Sequence, residues 1–179
     1  MNRIYAIVSP VLFLFVTISL PHYCHALEIN SEYAVIEYPS AKVLKKFNQK
    51  LYMGRFKYNI RKKNSDTIED EVKNKIDFVV EKVMKVLNMY LPELRFKIRI
   101  HASKSGVDDD FRRIYNINVN YIAFYSPSEN RVFYSARNAA LRVITHEIGH
   151  VVAENYFAVS PPQNIHEVIA QYAEQHITD

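Results

Sequence analysis

The stretch from residue 141 to residue 157 places two histidines and a glutamate inside an otherwise apolar segment. Its apolar residues recur at the three- and four-residue spacing of one helix face. They are Leu141, Val143, Ile144, Ile148, Val151 and Val152. We predict a helix that Asn138 caps and that runs through about Phe157. Because other elements must cover so apolar a helix, it constrains the rest of the fold.

The histidines and the glutamate of this helix form the segment HEIGH, with His146 and His150 four residues apart. Residues at i and i+4 share a helix face, so both imidazoles can direct a nitrogen at one zinc ion. Zinc lowers the pKa of a bound water towards about 7, and Glu147 can take the proton. The alternative is an ordinary helix whose histidines bind nothing. Because histidine is rare, three fixed residues in five seldom arise by chance.

A catalytic zinc usually has three protein ligands and one position open to water. A metzincin would continue with Gly at position 153 and His at position 156. This chain has Ala153 and Tyr156 instead, so the metzincin pattern is excluded. We therefore expect the third ligand further downstream.

The next predicted helix, from Asn164 to His176, begins NIHEVIAQYAE. HEIGH followed by a helix with E-x-x-A-x-Y resembles the gluzincin metallopeptidases, the thermolysin and aminopeptidase-like group. Many of these carry W-L-x-E-G-x-A-x-Y in that helix. The resemblance covers about 35 residues. The sequence departs from the motif at Asn164 and Val168 and keeps four of its positions, namely Ile165, Glu167, Ala170 and Tyr172.

The resemblance implies that Glu167 is the third zinc ligand. It also implies that Ala170 lets the two helices pack closely and that Tyr172 packs beside the site or supports a ligand. The alternative for Glu167 is a solvated helix carboxylate. Glu174, two turns further on, is the other candidate ligand or a partner that orients one. Glu154, four residues after His150, either orients a ligand histidine or is exposed.

Two parts of such a site stay open at the level of sequence. The first is a group that stabilises the developing oxyanion, for which four residues lie near enough in sequence: His166, Tyr156, Tyr172 and His176. The second is a sheet edge that binds the substrate as an added strand. Residues 118–125 or residues 131–135 are expected to supply it. The aminopeptidase motif G-x-M-E-N is absent from the sequence, which favours endopeptidase action.

The whole chain indicates an α+β fold. We expect a minimal zincin-like domain over residues 65–179, in which a small, mostly antiparallel sheet packs on the HEIGH helix and a glutamate-bearing helix follows. Residues 27–64 are expected to form an extension with a basic amphipathic helix. Other predicted elements are an extended lead-in at 27–40, helices at 41–53 and from Ser65 or Asp66 to before Pro92, strands at 95–101, 118–125 and 131–135, and a turn or helix start around Asp108–Asp110.

Residues 1–26 have the layout of a secretory signal peptide, with Arg3 before an apolar run and a cleavage site after Ala26. The alternative is a membrane anchor formed by residues 4–20. Cys24, the only cysteine, lies in this segment. The processed chain would therefore have neither a disulfide nor a thiolate metal site. We expect an exported protein.

Nine Lys or Arg and no acidic residue occur between residues 42 and 63. This stretch either contacts an anionic surface or partner or is a solvated helix face followed by a basic loop, and the second is the commoner case. A secretory signal argues against a nucleic-acid partner. The sequence therefore predicts an exported zinc peptidase of narrow specificity that acts on a peptide or protein. The alternative is a zinc-binding, peptidase-like module that binds or regulates without turnover.

Overall fold

The computed structural model describes residues 26–61 and 65–179. Except for Ala26, the predicted signal peptide lies outside these residues, and so do the alternative membrane anchor and Cys24. Among the helices described, none combines the length and the apolar character that crossing a bilayer requires.

The described residues form five strands and six α-helices. In order they are β1 (Leu27–Asn30), β2 (Ala34–Tyr38), α1 (Ala41–Lys50), α2 (Lys57–Arg61), α3 (Ile68–Leu87), β3 (Phe96–His101), α4 (Lys104–Tyr115), β4 (Ala123–Ser126), β5 (Arg131–Ser135), α5 (Leu141–Tyr156) and α6 (Gln163–His176). Short 3₁₀ turns occupy Gly54–Phe56 and Pro127–Glu129.

The strands form one mixed sheet in the order β1-β2-β3-β5-β4. The outer pairs, β1 with β2 and β4 with β5, are antiparallel, whereas β2 with β3 and β3 with β5 are parallel. The α+β class is confirmed, but the expectation of a mostly antiparallel sheet is wrong. Parallel neighbours need crossover connections, and the helices between β2 and β3 and between β3 and β5 supply them.

The segment expected to be an extended lead-in contributes two strands to this sheet. In β2, Ala34, Ile36 and Tyr38 are buried in strict alternation. β2 pairs with β1 on one side and with β3 on the other, so it lies inside the sheet. Residues 27–50 therefore share a sheet and a hydrophobic core with the elements that follow.

The starts of two helices differ from the predictions because the expected side chain does not cap the backbone. α3 begins after Thr67, whose hydroxyl accepts the Asp70 N–H at 3.1 Å. Asn138 does not cap α5, because its side chain accepts the Ser135 hydroxyl at 2.9 Å, and α5 begins at Leu141.

Three more predicted boundaries shift. α1 ends at Lys50 rather than at residue 53. β4 is limited to Ala123–Ser126 instead of 118–125. The three aspartates at 108–110 lie inside α4, which is longer than the predicted turn or helix start.

Helices cover both faces of the sheet. On one face α1, α3 and α5 enclose the main core with the inward residues of the strands, among them Ile98, Val132 and Tyr134. On the other face α4 packs Val107 against Phe124 and Phe133. As a result the HEIGH helix α5 lies beside β4, the edge strand of the sheet.

Candidate metal centre

The centre is built where α5 crosses α6. At the crossing a Cβ added to Gly149 would lie 2.8 Å from the Cα of Ala170, so only glycine lets the two backbones approach this closely. Ala170 lies at the contact that the resemblance implied for it. The close approach brings the first turns of α6, and with them Glu167, over the histidines of α5.

Two imidazole nitrogens and the carboxylate group of Glu167 converge at this crossing. Nε2 of His146 lies 3.2 Å from Nε2 of His150. The two carboxylate oxygens of Glu167 each lie 3.5 Å from one of these nitrogens. Ligand atoms at zinc bond lengths of 2.0–2.1 Å are about 3.3–3.4 Å apart in a tetrahedral site. One atom of each residue lies within 4.8 Å of the other two, and the closest pairs of atoms, at 3.2–3.5 Å, come near the spacing of a tetrahedral site. We call His146, His150 and Glu167 the ligand triangle.

The chemistry of these donors also suits zinc. Two imidazoles and a carboxylate are a common ligand set for a zinc ion that keeps one position open. Burial and the neighbouring His146 lower the pKa of His150 to about 4, against the opposing effect of Glu167. His150 is thus neutral at pH 7, and neutral imidazole is the form that binds a metal.

His146 and Glu167 each have a polar neighbour that orients the side chain. Oε2 of Glu174 lies 3.2 Å from Nδ1 of His146, and its other oxygen accepts from Arg142 at 2.9 Å. The side-chain amide of Gln163 donates to Oε1 of Glu167 at 3.0 Å. Glu174 thus lies on His146 as a supporting partner rather than within the ligand triangle. Gln163 and Arg142 were not predicted, although the i, i+4 spacing of Gln163 and Glu167 was a signal for that pair.

Glu147 is only 8% exposed and borders the same cleft. Burial, reinforced by the negative charge of Glu167, raises the pKa of Glu147 to about 8. A hydrogen bond from the backbone of Tyr125 acts in the opposite direction. The contact puts this carboxylate at the free edge of β4, next to the ligand triangle.

A cleft of about 840 Å³ opens between α4 and β4 on one side and α5 and α6 on the other. Four aromatic side chains of α4, β4 and the connection between them, which we call the aromatic wall, line it: Phe111, Tyr115, Tyr121 and Phe124. The Phe111 ring lies at the middle of this wall, 4.7–5.1 Å from the other three ring centroids. Tyr121 remains 48% exposed. The sequence prediction did not include this wall.

The edge of the sheet that faces the cleft is β4. Since β5 lies between β3 and β4, residues 131–135 cannot be a free edge, and that alternative is wrong. Ser135 N–H donates to the Ile122 carbonyl at 3.0 Å. In the antiparallel register, the backbone groups of residues 122, 124 and 126 then form the hydrogen bonds to β5. The backbone N–H and C=O groups of Ala123 and Tyr125 consequently point outwards.

Of the four oxyanion candidates, the structure puts only His166 in the cleft lining. His166 is buried, and its Nε2 lies 3.1 Å from Glu154 Oε2 and 3.2 Å from Ser160 Oγ. Ser160 also donates to Glu154 at 2.7 Å. Glu154 therefore contacts His166 and the α5–α6 connection, not a ligand histidine.

The other three candidates lie outside the cleft lining. The Tyr172 ring packs on His176 with centroids 4.3 Å apart, and Tyr156 packs on Phe157 at 5.4 Å. Tyr172 is 50% exposed. Tyr172 thus neither packs beside the ligands nor supports one.

No protein-family model, curated protein or solved structure matches this chain.

Proposed function

We propose that the protein is a zinc-dependent endopeptidase in which His146, His150 and Glu167 hold the metal. The observation that carries the proposal is the convergence of these three side chains, whose closest donor atoms lie 3.2–3.5 Å apart, next to the buried carboxylate of Glu147. A bound zinc ion would polarise a carbonyl and make water a stronger nucleophile at neutral pH. The sequence resemblance to gluzincins agrees with this donor set.

The residues around the metal site have distinct roles in the proposal. Glu147 accepts the proton that water loses as it attacks the peptide carbonyl, and passes it to the departing amine when the C–N bond breaks. Its burial supports this role, since a carboxylate with a raised pKa both takes up and releases a proton near neutral pH. Glu174 and Gln163 keep His146 and Glu167 in position.

The free edge of β4 supports an extended peptide as the substrate. The outward N–H and C=O groups of Ala123 and the outward C=O of Tyr125 can pair with a peptide that adds to the sheet as a further strand. The Tyr125 backbone also contacts Glu147. A peptide on this edge would therefore run past the carboxylate that handles the proton.

The aromatic wall supports a narrow specificity on this substrate. Alternate side chains of an added strand would face the wall, because residues directly opposite each other share a sheet face. None of the described residues that line the cleft is a lysine or an arginine. The site therefore favours apolar side chains over acidic ones. Export after cleavage near Ala26 belongs to the same proposal and rests on the sequence pattern alone.

Glu147→Gln separates a peptidase from a zinc-binding module. The wild-type protein should bind one zinc per chain and cleave an unfolded protein or a peptide library. Glu147→Gln should keep the zinc and lose at least about a hundredfold in kcat, the lower range for a general base. Glu28→Gln, an exposed glutamate on β1, is the matched control and should cleave like the wild type.

The outcomes are distinct. Zinc binding with no cleavage by either the wild type or Glu147→Gln would favour the binding module. Equal cleavage by both would exclude Glu147 as the proton acceptor. Failure of the wild type to bind zinc would refute both readings.

A further inference from the structure

The lysines of α1 form a second surface with a marked chemical character. Lys42, Lys45, Lys46 and Lys50 are all exposed, while Leu44, Phe47 and Asn48 are buried against α3 and the sheet. The four lysines follow the i, i+3, i+4, i+8 spacing of one helix side. We call them the basic face. Arg55 and Lys57, next along the chain, are exposed as well.

The basic face is not neutralised by acidic neighbours. None of its four lysines forms an ion pair with another described residue. The nearest run of acids begins α3, and those acids have other partners. Asp70 pairs with Lys73 at 2.8 Å, and Glu71 accepts from Asn48 at 2.6 Å.

The basic face also lies in the segment that makes the net charge of the chain positive. Residues 42–63 hold nine positive charges and no negative one, whereas the whole chain is only +4. The residues outside this segment therefore have a net charge of −5. Such an asymmetry orients a protein in the field of a charged surface, with the basic face towards negative charge.

The chemistry of the face favours an anionic lipid bilayer as the partner. All four charges are lysines, which act as point charges, whereas arginine is the usual choice for bidentate contacts to individual phosphates. Four to eight basic residues on an amphipathic helix are the usual feature that binds phosphatidylserine-type surfaces. Tyr52, two residues after the end of α1, is 73% exposed and offers a ring that suits the headgroup region.

The position of the basic face leaves the catalytic cleft open. α1 packs on α3, β2 and β3, whereas the cleft is built from β4, α4, α5 and α6. β4 is three strands away from β2 in the sheet, about 14 Å at the usual strand spacing. No residue of α1 lines the cleft. A bilayer on the basic face would therefore not cover the site.

We propose that the α1 basic face docks the protein on anionic lipid membranes with the cleft accessible. This inference does not depend on the proposed peptidase activity.

Vesicle binding tests the proposal with the purified, processed protein. The probe is phosphatidylcholine vesicles with and without about one-third phosphatidylserine, at low and high salt. Binding should require phosphatidylserine and weaken with salt. Each lysine near the surface contributes about fivefold, so Lys45→Glu with Lys46→Glu should weaken binding at least about 25-fold. The milder double variant, Lys45→Gln with Lys46→Gln, should bind the vesicles about 25-fold more weakly than the wild type. It tests the same point if the charge reversal unfolds the protein.

Lys85→Glu with Lys97→Glu is the matched control. Both lysines are exposed on other elements, so the pair lowers the net charge by the same amount. Its affinity for the vesicles should fall by less than about threefold. Equal weakening by the two reversals, binding without phosphatidylserine, or tighter binding to single-stranded DNA than to the vesicles would each overturn the proposal.

Discussion

Gly149→Ala tests the close crossing on which the metal centre depends. In an isolated helix this change would stabilise by about 1 kcal/mol, because alanine is a much better helix former than glycine. In this structure the new Cβ would lie 2.8 Å from the backbone Cα of Ala170. A backbone atom cannot rotate out of the way, so α6 has to move.

The size of that movement follows from the contact distance. Carbon atoms pack at about 3.5–4.0 Å, so α6 must shift by about 1 Å relative to α5. Zinc sites tolerate only about 0.2 Å in their ligand distances. With an overpacking cost of about 1–3 kcal/mol, the folded state should lose up to about 2 kcal/mol net. Because Glu167 moves with α6, we expect zinc to bind about 10–100-fold more weakly, the range seen when ligand positioning is lost.

The assay combines zinc affinity by chelator competition with urea unfolding of the metal-free protein. Gly106→Ala is the control. Its new Cβ would lie 2.5 Å from the ring of His101, the last residue of β3, which is not part of the metal centre. It should lower stability without changing zinc affinity. A Gly149→Ala protein that is more stable than the wild type and binds zinc equally well would refute the reasoning.

Three further predictions address the supports of the site. Glu174→Gln should weaken zinc binding about 10–100-fold in chelator competition, because His146 loses its carboxylate partner; unchanged affinity would contradict that role. Asp110 has a pKa of about 2, because hydrogen bonds and charges from His101, Arg113 and Arg99 outweigh the opposing effect of its burial. Its stabilisation of about 2 kcal/mol is therefore present above pH 3.8 and lost as the pH falls towards 2. In urea unfolding Asp110→Asn should be less stable than the wild type at pH 7, and the difference should close near pH 2; a pH-independent difference would exclude this linkage. Tyr121→Ala should raise KM for peptides with a large apolar residue near the scissile bond, whereas Tyr121→Phe should not; equal KM values for all three proteins would remove the aromatic wall from substrate binding.

The pairing of the two histidines could be predicted from sequence because their geometry is local. His146 and His150 are one helical turn apart, and an apolar helix face fixes which side they occupy. Glu167 lies on a different helix, so spacing alone did not identify it and a family resemblance was needed. The structure brings it to the histidines through Gly149 and Ala170, two small residues whose role depends on a tertiary crossing.

The sheet and the cleft walls were harder to predict because they depend on long-range pairing. β2 has the alternating burial of a strand, but five residues without a turn signal read equally well as an extended segment. The parallel pairing of β2 with β3 depends on residues more than 60 positions apart in sequence. The aromatic wall joins side chains from α4, β4 and the connection between them, and nothing in their spacing indicates a common surface.

The proposed function depends on one zinc ion bound by His146, His150 and Glu167. X-ray absorption at the zinc edge tests it most directly on protein loaded with one equivalent of zinc. We expect nitrogen and oxygen ligands at about 2.0–2.2 Å with two imidazoles, and loss of that spectrum in His146→Ala and in Glu167→Ala. A protein that retains no zinc, or a spectrum that neither substitution alters, would contradict it.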